Sequence, residues 1–150
     1  MREDVLIAEL MSDYGARIRF VWHDLPLPMH PSAPLAAQAA REALRQKGDK
    51  GFWTFHDTLF AHQKELGRDA IDGWAQAQGL EMTKWKAALD GATHQAEVDA
   101  DAKAGSDMNI NGTPSFVIAV AGAKSGYYIS GAQPYTRFRK LVERALGEAH

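Results

Sequence analysis

Cysteine is absent from the 150 residues. Its absence excludes disulfide bonds, thiolate nucleophiles and cysteine-ligated metal sites within this chain. No apolar run approaches the ~20 residues that a membrane-spanning helix needs, so we expect no membrane partner. An excess of basic residues is also lacking, because 17 Lys and Arg stand against 19 Asp and Glu. We therefore expect no nucleic-acid partner.

The remaining composition is that of an ordinary globular chain, with 45% hydrophobic and 24% charged residues. A chain of this length suits one domain with a buried core. A secretory signal pattern is missing at the start, where Met1-Arg2-Glu3-Asp4 leads straight into a helical pattern. We expect a cytosolic protein, a mature form or a fragment, and the sequence leaves the compartment undetermined.

Hydrophobic periodicity predicts the order helix, strand, long helical block, strand, strand, helix. The first strand rests on the alternation of Ile18, Phe20 and Trp22 with two arginines. This order favours an α/β or α+β layer fold with a helical insertion. The first predicted elements are a helix over 3–14, a strand over 17–23 and a proline-rich loop over 24–34. The helical block consists of helices over 33–47 and 51–63, a helix capped by Asp69 and ended by Gly79, and helices over 82–90 and 92–106. Strands over 115–121 and 127–129 follow around a turn at 122–126, and a closing helix has Pro134 at its first position.

The six histidines show no spacing typical of metal ligands, so we expect no metal site. His56 and Asp57 are neighbours on a predicted helix and should not face each other, which favours a surface or half-buried histidine. His23-Asp24 is expected to serve the turn after the first strand, and His30 to structure the loop. No glycine-rich phosphate loop and no nucleophile elbow is present, so we expect no catalytic residue and no cofactor.

The segment Asn111-Gly112-Thr113-Pro114 directly precedes an apolar strand. Proline is tolerated at the first residue of a strand. An X-Pro bond has only a small preference for trans, so a tight turn can hold it cis, although local statistics favour trans.

Four segments in order carry a resemblance to a known family: residues 19–40 (RFVWHDLPLPMHPSAPLAAQAA), 52–63 (FWTFHDTLFAHQ), 111–118 (NGTPSFVI) and 130–138 (SGAQPYTRF). The chain resembles the DsbA-like branch of the thioredoxin-fold thiol–disulfide oxidoreductases, which are largely bacterial and exported. The resemblance implies an α/β thioredoxin-like fold with a DsbA-type helical insertion at about 33–108, in a single domain over 1–150. It also implies a cis-proline loop at Thr113-Pro114.

The chain departs from this family at its start. Family members begin with a strand that leads into a Cys-x-x-Cys motif, and this sequence begins after the place where that motif would end. We therefore expect the first central strand and both cysteines to be absent. Thiol–disulfide exchange needs a thiolate, so we expect no independent redox catalysis.

The resemblance places Gly112, Thr113 and Pro114 in the loop that faces the substrate. It implies that they hold an extended peptide or protein substrate by strand addition. The alternative is that these residues only shape the turn into the next strand.

Loss of the central strand would leave both neighbouring strands without hydrogen-bond partners. The orphan strands could pair directly, two chains could join through exposed sheet edges as a homodimer, or the missing residues could exist in the native protein. We expect self-association if the sequence is complete. One further alternative is a fragment of an active disulfide oxidoreductase whose Cys-x-x-Cys lies upstream of Met1. Another is a glutathione-dependent isomerase on the same fold, which would need bound glutathione.

Overall fold

The computed structural model describes residues 3–149, which form two compact units. The hairpin unit comprises the residues up to Trp22 together with those from Asn109 onward, and the helical unit comprises His23–Met108. No helix in the described range is both long and apolar enough to cross a membrane. The elements in chain order are α1 (Glu3–Tyr14), a 3-10 turn (Gly15–Arg17), α2 (Ala33–Ala61), α3 (Arg68–Ala77), α4 (Met82–Asp90), α5 (Gln95–Asp107), β1 (Ser115–Ile118), β2 (Tyr127–Ser130) and α6 (Tyr135–Glu148).

The hairpin unit has a small apolar core on one face of its sheet. Leu6 from α1, Ile129 from β2 and Phe138 from α6 are almost fully buried and form this core. Phe116 of β1 packs edge-on against Phe138, with ring centroids 4.8 Å apart. Aromatic pairs in this arrangement stabilise a fold by more than the burial of their apolar area alone. The predicted apolar face of the closing helix is therefore confirmed at Phe138, and it positions β1.

The sheet of the hairpin unit is a two-stranded antiparallel ladder, in which Ser115 faces Ser130 and Ile118 faces Tyr127. Residues 119–126 join the two strands, so the connection is longer than the turn predicted over 122–126, and β1 is shorter than the predicted strand over 115–121. Pro134 is the N-cap of α6 rather than its first residue.

The strand predicted over 17–23 is wrong. Arg17 ends a 3-10 turn, and the residues that follow belong to no ladder. The alternation is nevertheless real, because Ile18, Phe20 and Trp22 are half-buried while the residues between them are exposed. Alternation sets which side chains are buried, but a strand also needs a neighbouring backbone to pair with. In the described part of the chain the sheet contains β1 and β2 alone, so direct pairing of the two segments is also excluded there.

The helical unit contains α2 to α5, and a break divides α2. Gly48 has φ +65° and ψ −163°, so α2 is two helical pieces on either side of this residue, as the separate helices at 33–47 and 51–63 predicted. Phe55 from the second piece packs on Trp85 of α4, with ring centroids 5.1 Å apart.

The predicted cap at Asp69 is wrong: Gly67 is the N-cap of α3. Asp69 lies in the first turn of α3, where a negative charge interacts favourably with the helix dipole. The helix predicted to begin at 92 begins at Gln95.

A fully buried carboxylate lies inside the helical unit. The two oxygens of Glu42 accept hydrogen bonds of 2.6–2.8 Å from Arg45, Gln46 and Nε2 of His94. His94 must donate from Nε2, because an ionised carboxylate only accepts. Burial by itself raises the pKa of Glu42, but the hydrogen bonds from Arg45, His94 and Gln46 outweigh it and lower this pKa to about 2. Glu42 therefore joins α2 to the start of α5 as a charged group.

The Gly48 conformation generates a first prediction. We expect Gly48→Ala to lower the free energy of unfolding by ~1–3 kcal/mol, because this region of backbone space is essentially restricted to glycine. A steric clash is not the cause, since an added Cβ would meet nothing within 4 Å. Urea unfolding followed by far-UV circular dichroism measures the change. Gly73→Ala in α3 is the matched control, because it also has open space and should stabilise by ~0.5–1 kcal/mol. Equal effects of the two substitutions would contradict the account.

Glu42 generates a second prediction, on acid stability. A carboxyl whose folded pKa lies below its ordinary value of 4.5 stabilises the fold above that value, and the contribution is lost as pH falls toward about 2. We expect Glu42→Gln to cost ~1.5–3 kcal/mol at pH 7, because the buried His94 and the exposed Arg45 lose their anionic hydrogen-bond acceptor. Urea unfolding should show this difference shrinking between about pH 4.5 and 2.

The control for this prediction is Glu65→Gln, which makes the same change on an exposed side chain of the helical unit. It should change the free energy of unfolding at pH 7 by no more than about 0.5 kcal/mol. If the difference in free energy of unfolding between Glu42→Gln and the parent chain stays constant down to pH 2, the charge of Glu42 is not its cause.

Candidate functional site

The predicted site residues Gly112, Thr113 and Pro114 lie together in the loop that enters β1. Thr113 is exposed, whereas Gly112 and Pro114 are half-buried. The Thr113–Pro114 peptide bond is cis, which local statistics did not favour. The Pro114 carbonyl accepts a hydrogen bond of 2.8 Å from the Gly131 N–H, so the loop is fixed to the chain just after β2.

A hydroxyl pair that the sequence did not reveal holds this loop. Ser115 Oγ lies 2.7 Å from the Gly112 carbonyl and 3.1 Å from the Tyr128 hydroxyl. A serine has one hydroxyl proton, and a carbonyl only accepts, so Ser115 donates to Gly112. The Tyr128 hydroxyl therefore donates to Ser115. A continuous chain of hydrogen bonds runs from β2 through β1 to the loop.

The backbone of β1 has one filled and one open hydrogen-bonding edge. The bond from Gly131 to Pro114 makes these two a hydrogen-bonded pair, and such pairs alternate along an antiparallel ladder. Phe116 and Ile118 therefore direct their N–H and C=O groups toward β2. The N–H and C=O groups of Ser115 and Val117 point to the opposite edge, along which no other strand of the described residues lies. We name these groups the open edge of β1.

The sheet face away from the apolar core is solvent-accessible. Val117 and Tyr128 face each other across the ladder and are about half exposed, at 48% and 49%. Ser115 and Ser130 form the next pair on this face. The open edge therefore adjoins a surface of one apolar, one aromatic and two hydroxyl side chains. Such a surface supports binding through the backbone, and none of these groups is an activated nucleophile.

The histidines lie elsewhere and serve the helical unit. His23 Nδ1 is 2.8 Å from Asp101 Oδ1 in α5. The Asp24 carboxylate accepts a 2.6 Å bond from Arg41, which also binds Asp101 and Glu97. The His23-Asp24 pair thus fixes the loop before α2 to α2 and α5. Its role is structural, but it does not follow a strand as predicted.

The other two histidines singled out from the sequence also have structural contacts. His56 is half-buried as predicted, but its Nδ1 lies 3.1 Å from Asp57 Oδ1, so the expectation that they do not interact is wrong. Adjacent side chains diverge on a helix, yet the ring nitrogen and the carboxylate oxygen of this pair are within hydrogen-bond distance. His30 takes part in two loop backbone bonds, to Leu27 and Ala33. Among residues 3–149 no group of three or more His, Asp or Glu side chains is placed to hold a metal ion.

Comparison with known proteins matches the chain to one family model. The model described as a DSBA-like thioredoxin domain matches residues 7–143. No solved structure matches the chain.

Similar curated proteins include much longer chains. Na(+)/H(+) antiporter NhaA 1 of Salinispora arenicola is 35% identical over 114 residues, which cover 75% of this chain and 17% of the antiporter. The antiporter NhaA of Herminiimonas arsenicoxydans is 30% identical over 73% of this chain and 17% of its own length. The ClpXP adapter protein SpxH of Shouchella clausii is 26% identical over 79% of this chain and 40% of its own length. The chain therefore spans about a sixth of the antiporters that it matches.

The hydroxyl pair generates a third prediction. We expect Ser115→Ala to lower the free energy of unfolding by about 1 kcal/mol, because the Gly112 carbonyl loses its donor. Amide exchange at Gly112 and Thr113 should become faster in the same variant. Tyr128→Phe is the control, since it removes one exposed hydroxyl and leaves the bond from Ser115 to Gly112 in place; its effect should stay within about 0.5 kcal/mol. A larger loss in Tyr128→Phe than in Ser115→Ala would contradict the assigned direction of the bonds.

Proposed function

The chain belongs to the DSBA-like thioredoxin domain family, and on that premise we propose that it binds extended peptide segments along the open edge of β1, without thiol–disulfide exchange of its own. The family match and the helical architecture confirm the α/β thioredoxin-like fold with a helical insertion. The absence of the first central strand and the single-domain organisation stay predictions.

The second half of the proposal follows from the chemistry of sulfur. Disulfide exchange proceeds by attack of a thiolate on a disulfide sulfur. The 150 residues contain no cysteine, and a methionine thioether cannot form a thiolate. This polypeptide alone therefore has no group that can start the reaction. The alternative oxidoreductase would need a Cys-x-x-Cys that this sequence does not contain.

The observation that carries the binding proposal is the open edge of β1. Ser115 and Val117 present N–H and C=O groups away from β2, directly after the exposed Thr113 and the cis Pro114. An extended peptide satisfies such groups by adding a strand, in which main-chain hydrogen bonds provide the affinity. The side chains beside this edge are uncharged, so we expect little sequence selectivity and a preference for apolar or hydroxyl residues.

The test uses an unfolded polypeptide without free thiols as probe. Fluorescein-labelled, reduced and carboxymethylated ribonuclease A is titrated with the chain, and its fluorescence anisotropy is followed. We expect saturable binding that Val117→Pro weakens about threefold to tenfold, because proline removes one N–H from the open edge and each hydrogen bond contributes ~0.5–1.5 kcal/mol. The ladder to β2 keeps its bonds in this variant, since the Val117 N–H points away from β2.

The matched control is Val117→Thr, which keeps the N–H and the β-branched shape and should bind as the parent chain does. Equal binding by the proline and threonine variants, or no binding by the parent chain, would contradict the proposal. Insulin reduction by dithiothreitol provides the second test. Its rate should be unchanged by added chain, and an increased rate would show that the chain catalyses exchange.

A further inference from the structure

We propose that two copies of this chain associate by pairing the open edges of β1 antiparallel across a two-fold axis, which makes a continuous four-stranded sheet. This inference rests on the open edge used in the proposed function, but it commits to a different occupant of that edge. A second copy and an extended peptide would then compete for the same backbone groups.

The open edge of β1 is complementary to a second copy of itself. In an antiparallel pair, residues that exchange hydrogen bonds alternate with residues that do not. Ser115 and Val117 both direct N–H and C=O groups outward, and they lie two residues apart. A two-fold axis at Phe116 therefore places Ser115 of each copy opposite Val117 of the other, and all of these outward groups gain partners. A symmetric contact of this kind closes and does not propagate.

The sequence around the open edge is uncharged. From Met108 to Ala123 the sequence contains no charged residue, and the run is bounded by Asp107 and Lys124. Edge strands that stay unpaired in proteins are commonly protected by an inward charge, a lysine or a central proline. In β1 the proline precedes the strand, and the outward residue at its middle is Val117. Two identical edges can therefore approach without repulsion between like charges.

Pairing of two copies along the open edge would also cover exposed apolar surface. Val117 is 48% exposed, and its cross-strand neighbour Tyr128 is 49% exposed. Antiparallel pairing at Phe116 brings the Val117 side chains of the two copies onto one face of the enlarged sheet, beside Ser115 of the other copy. Aromatic and β-branched side chains on neighbouring strands stabilise a sheet by ~0.2–1 kcal/mol per pair. The strand is short, so the contact belongs to the class of small, reversible interfaces.

Sedimentation velocity tests the proposal on the whole chain, without peptide, from about 1 µM to about 1 mM, the range in which small interfaces dissociate. We expect the mass to rise from 16.5 kDa toward twice that value as the concentration increases. Val117→Lys should stay at the lower mass over the whole range, because the two introduced lysines would lie diagonally across the new strand pair on one face of the sheet and repel each other. Val117→Pro should do the same through loss of one edge N–H. Met29→Lys adds the same charge at an exposed position of the helical unit and should associate as the parent chain does.

The outcomes separate this proposal from the proposed function. A mass of 16.5 kDa for the parent chain at all concentrations overturns self-association, and it does so whether or not the ribonuclease probe binds. Association that persists in both Val117 variants also overturns it, because the contact then lies elsewhere. Association that both variants abolish supports it, even if the probe does not bind and peptide binding is rejected. Far-UV circular dichroism verifies that each variant is folded.

Discussion

The open edge of β1 determines what the hairpin unit can bind. A strand backbone has hydrogen-bonding groups on both edges, and groups that are shielded from water without a partner destabilise the fold. β2 satisfies one edge of β1 through Phe116 and Ile118. The outward groups of Ser115 and Val117 must form hydrogen bonds with water, a peptide or a second copy.

The apolar core of Leu6, Ile129 and Phe138 fixes β1 in place, and the hydroxyl pair of Ser115 and Tyr128 fixes the loop before it. A rigid edge of this kind is suited to strand addition because little further ordering is needed on binding.

The helical unit contains two charged networks in addition to its apolar core. Glu42 is buried and accepts four hydrogen bonds from three residues, and Arg41 binds three carboxylates that come from the loop before α2 and from α5. Buried ion pairs contribute modestly to net stability but are costly to break by removing one partner. These networks hold α2, α5 and the connecting loop in one arrangement. They account for histidines and carboxylates that, from composition alone, could be mistaken for catalytic or metal-binding groups.

Local sequence patterns predict this structure where local forces decide it. The helix over 3–14 is confirmed at its described bounds, and Gly48 and Gly79 adopt positive φ values where breaks were expected. The strand over 17–23 failed because pairing depends on a partner that alternation cannot supply. The bond between Glu42 and His94 joins residues far apart in sequence, so no local pattern indicates it. At the candidate site the sequence located Gly112, Thr113 and Pro114. It missed Ser115 and Tyr128, whose contact depends on the ladder register. A turn confined to 122–126 would pair residue 121 with 127, whereas in the structure Ile118 pairs with Tyr127, so the predicted turn does not give this register.

Residue-resolved amide hydrogen exchange of β1 measures whether the outward groups of Ser115 and Val117 are free. In dilute solution without peptide, we expect an alternating pattern: the Phe116 and Ile118 amides are protected by β2, whereas the Ser115 and Val117 amides exchange rapidly. The latter two should become protected when the chain is concentrated or when a peptide is added. Strong protection of Ser115 and Val117 at every dilution would show that their edge is already filled, and would contradict the account.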